Sequence, residues 1–572
     1  MATERSTAAR SAPASASAWS PFRHRAFAVL WTATLVSSIG TWMHDVGAGW
    51  LMASLAPSPV MVSLVQAATT LPVFLLALPA GALADIVDRR RLLLVVQSAM
   101  AAIALTLGVA VARGQVTAGL LLAFTFALGA CAALLAPAWQ SIVPRLVSRE
   151  EIASAVALNS VGINVSRAIG PALGGVVIAG LGIAWPFLIN AASFLAVIAA
   201  VAWWRPAAVA KRPLAAERFG SAIRAGLRYA RSSPPLRATL ARAAVFFVFI
   251  SAYWALLPLI VRQQLGGDAR LYGALVTCIG VGAVTGALLL PRIRARLGPD
   301  RLVALGTIGS AATLLTFALG RDVVAAAAAS LIAGASWIAV LSSLNVSAQM
   351  SLPDWVRARG LSVYNAVFFG SMAAGSVLWG QVADRFGIAA ALVAASIGAV
   401  VGIVVVRRFH LQSGGMLDLS PSAHWPQPLI VTPIEVDRGP VMVTVEYRVD
   451  PARAAEFLSA LDELARERRR DGAYAWSVFQ DASQPDRFVE CFFEESWLEH
   501  LRHHERVTAA DRDIQARVRG FHLGSAPPLV THLLAADDAA PPRRPSSDIQ
   551  ALDPNIDATR PGTLTVKSRL SQ

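Results

Sequence analysis

Apolar runs of about 20 residues recur along the first two thirds of the chain, separated by short polar stretches. A run of this length is sufficient for a helix that crosses a bilayer. The pattern predicts twelve membrane spans in two bundles of six. The predicted spans are 27–55, 60–84, 92–111, 118–138, 153–179, 183–203, 243–261, 271–290, 302–319, 323–347, 361–383 and 389–406.

The basic residues between these spans are distributed unevenly. They are concentrated in the loops after even-numbered spans, including Arg89–Arg91 and the stretch 205–237. The loops after odd-numbered spans hold Arg113, Arg262, Arg270, Arg321 and Arg385. Because cytoplasmic loops carry the excess of Lys and Arg, we expect both termini in the cytoplasm of a bacterium and the spans in its inner membrane.

Overall composition agrees with this class of protein. The chain is 55% hydrophobic and 15% charged, against about 25% charged in ordinary soluble proteins. Its net charge of +14 is typical of a nucleic-acid-binding protein, but the cations lie at span ends, where they set orientation and contact anionic lipid. The three cysteines indicate neither a disulfide framework nor a metal cluster.

The pattern changes after residue 408 to a strand–helix–strand–strand–helix–strand order, which is that of the split βαβ unit. Strands are predicted at 441–448, 474–480, 488–493 and 529–534, a helix at 451–470 and a helical segment with a break at 497–518. The fold class is thus an all-α membrane protein followed by a small α+β domain. The predicted divisions are a disordered tail 1–26, bundles 27–204 and 237–408 joined by a cytoplasmic loop 205–236, a linker 409–438, the α+β domain 439–535 and a disordered tail 536–572.

The stretch between spans two and three reads GALADIVDRRRL. Gly81, Asp85, Arg89 and Arg90 match a loop signature that resembles that of the major facilitator superfamily, whereas Ile86 and Asp88 depart from it. The resemblance implies that Asp85 and the following arginines form a cytoplasmic latch between the bundles. The alternative is that the arginines only fix topology.

Span five contains a second motif, RAIGPALGG over 167–175. Gly170, Pro171, Gly174 and Gly175 resemble the span-five signature of drug–proton antiporters, which implies export. Small residues allow helix backbones to approach closely, so a plain packing role is the alternative.

A wider pattern covers the first 410 residues or so of the chain. It resembles the transmembrane secretion-effector group, to which siderophore exporters belong. The segments that carry it are 30–31, 38–43, 137–140, 143–144, 157–160, 167, 170–171 and 190–191. The C-terminal segment resembles the ferredoxin-like fold of small antibiotic-biosynthesis monooxygenases. There Trp476, Trp497, His500, His503 and His504 are candidates for a pocket, but their spacing matches no recognised metal site.

Two charges are predicted at membrane depth, Asp45 beside His44 in span one and Arg167 in span five. Charges there are costly and mark functional sites, so we expect Asp45 to take part in proton coupling with Arg167 as its gate. The alternatives are a structural ion pair or a solvated Asp45. Other candidates for a cavity are Gln66, Gln97, Asn159, Asn164, Asn190, Asn345, Asn365, Trp42, Trp139, Tyr253, Trp254, Tyr364 and Trp379.

These features predict a secondary exporter of a small siderophore-like or drug-like molecule, working by proton antiport and not as an enzyme. The expected partners are the substrate, protons and lipid, with no nucleic acid, cofactor or metal. The sequence contains no glycine-rich nucleotide loop followed by lysine, so ATP is not the expected energy source. The alternatives are an importer on the same fold and a membrane-anchored enzyme acting through the C-terminal domain.

Overall fold

The computed structural model describes residues 19–143, 146–205, 219–412, 418–420, 422, 425, 435 and 438–536. Within its helices, the side chains of 78, 81, 82, 84–86, 141, 149, 153 and 219–223 are not among those described. The chain divides into two compact units, Met1–Ser420 and Pro421–Gln572. Most of the tails predicted as disordered and of the linker lies outside the described residues.

The first unit is helical. Within the described residues, eleven helices are long and apolar enough to cross a membrane. The helices are α1 (Arg25–Leu55), α2 (Pro59–Ile86), α3 (Arg89–Ala112), α4 (Ala118–Ile142), α5 (Ile152–Leu181), α6 (Trp185–Trp203), α7 (Phe219–Ser232), α8 (Pro234–Leu259), α9 (Ala269–Leu319), α10 (Val323–Met350), α11 (Arg357–Phe386) and α12 (Ile388–Val405). Helices α1–α6 are called the first bundle below, and α8–α12 the second bundle.

Helix α9 contains two of the predicted spans. It runs for 51 residues, and Gly298 interrupts it with φ +72° and ψ 169°. Glycine adopts this left-handed conformation without the steric cost that a Cβ would bring. The sequence pattern therefore located both apolar segments, while the polar stretch between them is helical on either side of one kink.

Large apolar side chains are exposed on the surface of this unit. Val95, Leu288 and Val324 are 68%, 74% and 75% exposed. Such a band of exposed aliphatic residues is costly in water and expected against lipid tails. The exposed apolar surface therefore agrees with the multi-span prediction.

The connection between α2 and α3 is shorter than predicted. The predicted spans leave residues 85–91 as a loop, but α2 continues to Ile86 and α3 begins at Arg89. The Asp88 side chain accepts a hydrogen bond from the Arg91 backbone N–H at 2.9 Å, which caps the first turn of α3. An N-cap aspartate at this position allows a two-residue connection without the second glycine of the family signature.

Helix α7 lies within the predicted central loop. Ala225 and Tyr229, four residues apart, are both buried, and the Tyr229 hydroxyl donates to the Ser351 carbonyl at 2.9 Å. Residues on one face of a helix recur at this spacing. The high density of arginine in this segment obscured its apolar face in the sequence.

The second unit contains an antiparallel sheet in the order β2-β3-β1-β4. Its elements are β1 (Val441–Arg448), α13 (Ala454–Asp471), β2 (Tyr474–Gln480), β3 (Arg487–Glu494), α14 (Trp497–Arg506), α15 (Ala509–Arg519) and β4 (Leu529–Leu534). Alternate residues of β1 and β3 are buried, so one sheet face builds the core with the helices. The predicted strands are confirmed to within one residue. The helix predicted at 451–470 starts as a 3-10 turn and becomes α-helical at Ala454, and the segment predicted at 497–518 consists of α14 and α15.

Candidate functional site

A cavity of about 270 Å³ lies between the two bundles of the first unit. Its polar lining consists of Asp45, Gln66, Thr69, Thr70, Thr125, Arg167 and Tyr272. Its other aromatic lining consists of Trp42, Trp254, Trp337, Phe368 and Phe369. Apolar walls with a few polar groups are typical of sites for small organic molecules. The cavity therefore suits a solute with flat apolar surface.

Asp45 and Arg167 both line this cavity. The Asp45 side chain is exposed within it, and Tyr272 of the second bundle lies within range of electrostatic interaction with Asp45. The Arg167 guanidinium lies over the Trp42 ring, 5.5 Å from its centroid. Among the described residues no ion pair joins Asp45 to Arg167, because the arginine stacks on Trp42 instead.

The side chain of His44 points away from the cavity that its neighbour Asp45 lines. Its ring is buried and meets Phe187 of α6 edge-on at a centroid distance of 4.7 Å. Neither ring nitrogen has a hydrogen-bond partner among the described residues. Successive residues on a helix point about 100° apart, which explains why His44 faces α6 and is not part of the cavity.

The glycines of the span-five motif lie at two helix crossings. A Cβ at Gly170 would be 2.5 Å from Cβ of Trp42, and one at Gly174 would be 3.1 Å from Cα of Met43, so both face α1. A Cβ at Gly175 would be 2.5 Å from the Ala269 carbonyl oxygen of α9. Glycine Gly273 of α9 in turn faces the Pro171 carbonyl. The motif thus brings α5 into backbone contact with both bundles.

Hydrogen bonds join the two bundles at the end of the helices where the loops after odd-numbered spans lie. We call this the odd-loop end. Arg262 donates to the Ala53 carbonyl at 2.6 Å and to the Ser54 hydroxyl at 3.0 Å. The Ser58 hydroxyl donates to Asp384 at 3.0 Å. We call these four side chains and the Ala53 carbonyl the odd-end clamp; it joins the two bundles at this end.

The predicted latch is only partly described. Gly81 and Asp85 lie on helix α2, but their side-chain positions are outside the described set. Arg89 is the first residue of α3. Arg90 donates to the carbonyls of Val201 and Ala202 in α6, at 3.1 and 2.6 Å. Arg90 therefore caps the C-terminal end of a helix in its own bundle, an arrangement favoured by the helix dipole.

The C-terminal candidates separate into core residues and a polar cluster. Trp497 is buried, and Trp476 donates to the buried Glu490 at 2.9 Å. Both His500 and His503 donate through Nδ1 to Glu494, which ends β3. The sequence offered these histidines no partner at a recognised metal-site interval; their carboxylate partner, Glu494, comes from a strand and reaches them through the packing of β3 against α14.

Electrostatics around Glu494 follow from that arrangement. Burial alone would raise the pKa of Glu494, but the adjacent imidazoles outweigh burial and lower the pKa well below its usual value. Burial lowers the pKa of His504 to about 3, and that of His532 to about 4. Glu494 is therefore ionised at neutral pH, and both of these imidazoles are neutral.

Comparison with known protein families decides the class of this protein. The family model for transmembrane secretion effectors matches residues 16–540. The chain belongs to the transmembrane secretion effector family. The match covers most of the chain and is consistent with its many apolar helices, so the protein is a multi-pass membrane transporter and not an enzyme.

Several curated relatives of this family member are transporters of small molecules. The staphyloferrin A transporter of Staphylococcus aureus is 25% identical over 61% of this chain and 87% of the relative. The multidrug efflux pump Tap of Mycolicibacterium fortuitum is 26% identical over 65% and 93%. The enterobactin exporter of Citrobacter koseri is 26% identical over 52% and 70%.

Solved structures share the fold of the helical unit. A POT family transporter in complex with a thioalcohol-conjugated peptide has a TM-score of 0.57 at 12% identity, covering 67% of this chain and 96% of that chain. A bacterial homologue of the lysosomal transporter Spinster has a TM-score of 0.54 at 15% identity, covering 69% and 99%. The helical unit thus has the architecture of major facilitator transporters.

The sequence located some cavity residues and missed others. Asp45, Arg167, Gln66, Trp42 and Trp254 were candidates and line the cavity. Other candidates are used in packing: Trp379 is buried and donates to the Val248 carbonyl at 2.8 Å, and Asn190 contacts Ser193. The aromatic lining residues missed are Tyr272, Trp337, Phe368 and Phe369. Aromatic residues within apolar spans carry no local signal that distinguishes a cavity from a lipid-facing surface.

Proposed function

We propose that this transporter exports a small amphipathic, aromatic molecule in exchange for protons. The observation that carries the proposal is a carboxylate, Asp45, exposed in a cavity that both bundles build. A carboxylate in such a place can bind either a proton or the substrate. It has to release the proton before it binds the substrate, and the substrate before it binds a proton. Rocking of the bundles then exposes the same group to each side of the membrane in turn.

We infer that the eleven helices cross the membrane twelve times, because the long helix α9 crosses it twice. A straight helix of 51 residues, the length of α9, would extend for roughly 77 Å, more than twice the hydrocarbon core of about 30 Å. The kink at Gly298 lies among Arg292, Arg294, Arg296 and Arg301. We infer that the two arms of α9 cross separately, with this basic turn in the cytoplasm and both termini on the same side.

This orientation gives the odd-end clamp a function. If the odd-loop end faces the exterior, the contact of Arg262 with the Ala53 carbonyl seals the cavity from outside. The latch predicted from Gly81, Asp85, Arg89 and Arg90 would act at the opposite end. In this proposal the two sets of contacts alternate, since breaking one set frees the bundles to form the other.

The lining of the cavity indicates the substrate class. Aromatic faces from both bundles, among them Trp42 and Trp337, offer stacking surfaces for planar rings. Arg167 adds a cation to the lining that also holds the Asp45 carboxylate, so anionic and cationic groups on the solute both find a partner. A catecholate siderophore and a cationic aromatic drug fit this description, and the relatives named above include an enterobactin exporter and a multidrug efflux pump.

The proposal also assigns a fold and a location to the C-terminal unit. Its strand order β2-β3-β1-β4 with two helical crossovers is that of the ferredoxin-like fold. We infer that residues 439–535 form a ferredoxin-like domain on the cytoplasmic side, with 409–438 as its linker.

Transport in inverted membrane vesicles tests the proposal. Inverted vesicles with an acidic interior, prepared from cells with and without the chain, are given either ethidium or a catecholate siderophore. We expect accumulation of at least one probe that needs both the chain and the pH gradient. Accumulation in right-side-out vesicles driven by an acidic exterior would instead indicate an importer, and accumulation unaffected by a protonophore would overturn the coupling.

Loss of the odd-end clamp is expected to open the exterior side. Arg262→Ala removes two hydrogen bonds, one part-buried and one exposed, which together contribute about 1–2 kcal/mol, so the outward-open population should rise roughly tenfold. The measurement is labelling of a cysteine at Val62, in the cavity wall, by an impermeant maleimide added to whole cells, with Cys131, Cys278 and Cys491 replaced by serine.

Arg113→Ala is the matched control for Arg262→Ala. Arg113 also lies at the odd-loop end, directly after α3, but no hydrogen bond of its side chain to the second bundle occurs within the described residues. It should leave the labelling rate unchanged. Equal labelling of both variants would argue against a sealing role for Arg262.

A further inference from the structure

The second unit encloses a cavity of about 610 Å³ between the core face of its sheet and its helices. Three histidines form one part of the wall. His500 and His504 lie on successive turns of α14, and His532 lies on β4. The rest of the lining includes Arg468 and Arg519, so the cavity is both roomy and partly cationic.

The imidazole nitrogens of these histidines converge. One nitrogen from each ring lies within 4.8 Å of the others, and His504 Nε2 is 3.2 Å from His500 Nε2. In a tetrahedral site with metal–nitrogen distances of about 2.0–2.1 Å, ligand atoms are roughly 3.3–3.4 Å apart. The His500–His504 pair therefore already has the separation of two ligands of one ion, and a small rotation of His532 adds the third.

Glu494 determines which nitrogen of His500 faces the cavity. The two carboxylate oxygens of Glu494 each meet one imidazole Nδ1, from His500 and from His503, so His500 Nδ1 carries the proton that it donates to Glu494 at 2.6 Å. In the neutral imidazole the Nε2 lone pair is then directed towards His504. A carboxylate that fixes the tautomer of a ligand histidine is the usual outer-shell arrangement of metal sites.

We propose that His500, His504 and His532 bind a divalent transition-metal ion of the Zn²⁺ class, with Glu494 as the carboxylate that positions His500. Imidazole nitrogen suits zinc, copper and nickel rather than magnesium or calcium. Three protein ligands leave one coordination position open to the cavity, and Arg468 and Arg519 in its lining favour an anionic oxygen donor there. The site is independent of the transport proposal, because none of its residues belongs to the helical unit.

Metal binding by the full-length protein tests this inference. The chain is purified in detergent without a polyhistidine tag, stripped with a chelator and titrated with Co²⁺, whose visible absorption reports tetrahedral coordination. We expect one equivalent to bind, and Zn²⁺ to displace it. His504→Gln and His532→Gln should each weaken binding by about 100-fold or more, and Glu494→Gln by roughly 10–100-fold, as for other outer-shell partners.

His522→Gln is the matched control, since His522 lies in the same unit and accepts from the Arg448 backbone N–H outside the cluster. It should bind Co²⁺ as the unmodified chain does. The thermal midpoint and circular dichroism of each variant identify loss of fold, which the two half-buried histidines His504 and His532 should tolerate. Absence of a Co²⁺ spectrum in the unmodified chain, or equal affinity in all histidine variants, would make the cluster a metal-free imidazole network and overturn the proposal.

Discussion

Asp45→Asn should abolish proton-driven accumulation of the probe while leaving exchange of internal for external probe intact. Asparagine has nearly the same shape as aspartate but does not titrate. The shape of the cavity is therefore retained, whereas the coupling of transport to protons is lost. A gradient of about two pH units stores roughly 2.7 kcal/mol per proton, enough for about 100-fold accumulation at one-for-one exchange. In the variant the ratio should fall to about one, as measured in inverted vesicles with the membrane potential clamped.

Two controls accompany Asp45→Asn. Asp322→Asn changes a carboxylate that caps α10, where asparagine caps equally well, so transport should be unaffected. Asp45→Glu restores a titratable group and should recover part of the accumulation. If Asp45→Asn still accumulates probe in response to the pH gradient, the proton is carried elsewhere.

Gly175→Ala should reduce transport by more than about tenfold through the contact between α5 and α9. The added methyl would lie 2.5 Å from the Ala269 carbonyl oxygen, and overpacking of this kind costs about 1–3 kcal/mol. Two rigid backbones in contact relieve such a clash only by moving apart. This contact joins the two bundles, so we expect both a lower thermal midpoint in detergent and a slower transport rate.

Gly180→Ala provides the comparison within the same helix. A Cβ at Gly180 would meet nothing within 4 Å, so this exchange should leave transport unchanged and stabilise α5 by up to about 1 kcal/mol. Similar behaviour of the two variants would mean that the close approach at Gly175 has no part in the transport cycle.

Elements with one buried face were predictable from the sequence. Strand β1 was located at Val441–Arg448 because its alternate residues are buried, and period-two alternation is a local property of the chain. The two arms of α9 were located by their apolar length. Helix α7 was missed, since its apolar face is narrow and its arginines dominate the composition of the segment.

The candidate site was predictable only in part. Asp45 and Arg167 attracted attention because charges at membrane depth are rare, and both line the central cavity. Their suggested ion pair is not formed, because Trp42 offers Arg167 a stacking surface. The roles suggested for Asp45, Arg167 and the latch residues remain predictions.

The sequence by itself determined that this chain crosses a membrane many times, how its cations are distributed among the loops, and which segments of the second unit are strands. These features depend on the length, period and charge of contiguous residues. Only the tertiary structure decided that Asp45 lies near Tyr272, that Arg262 reaches the Ala53 carbonyl, and that Glu494 orients His500. Each of the first two pairs joins helices more than 200 residues apart, and Glu494 and His500 lie on a strand and a helix whose packing no local pattern records.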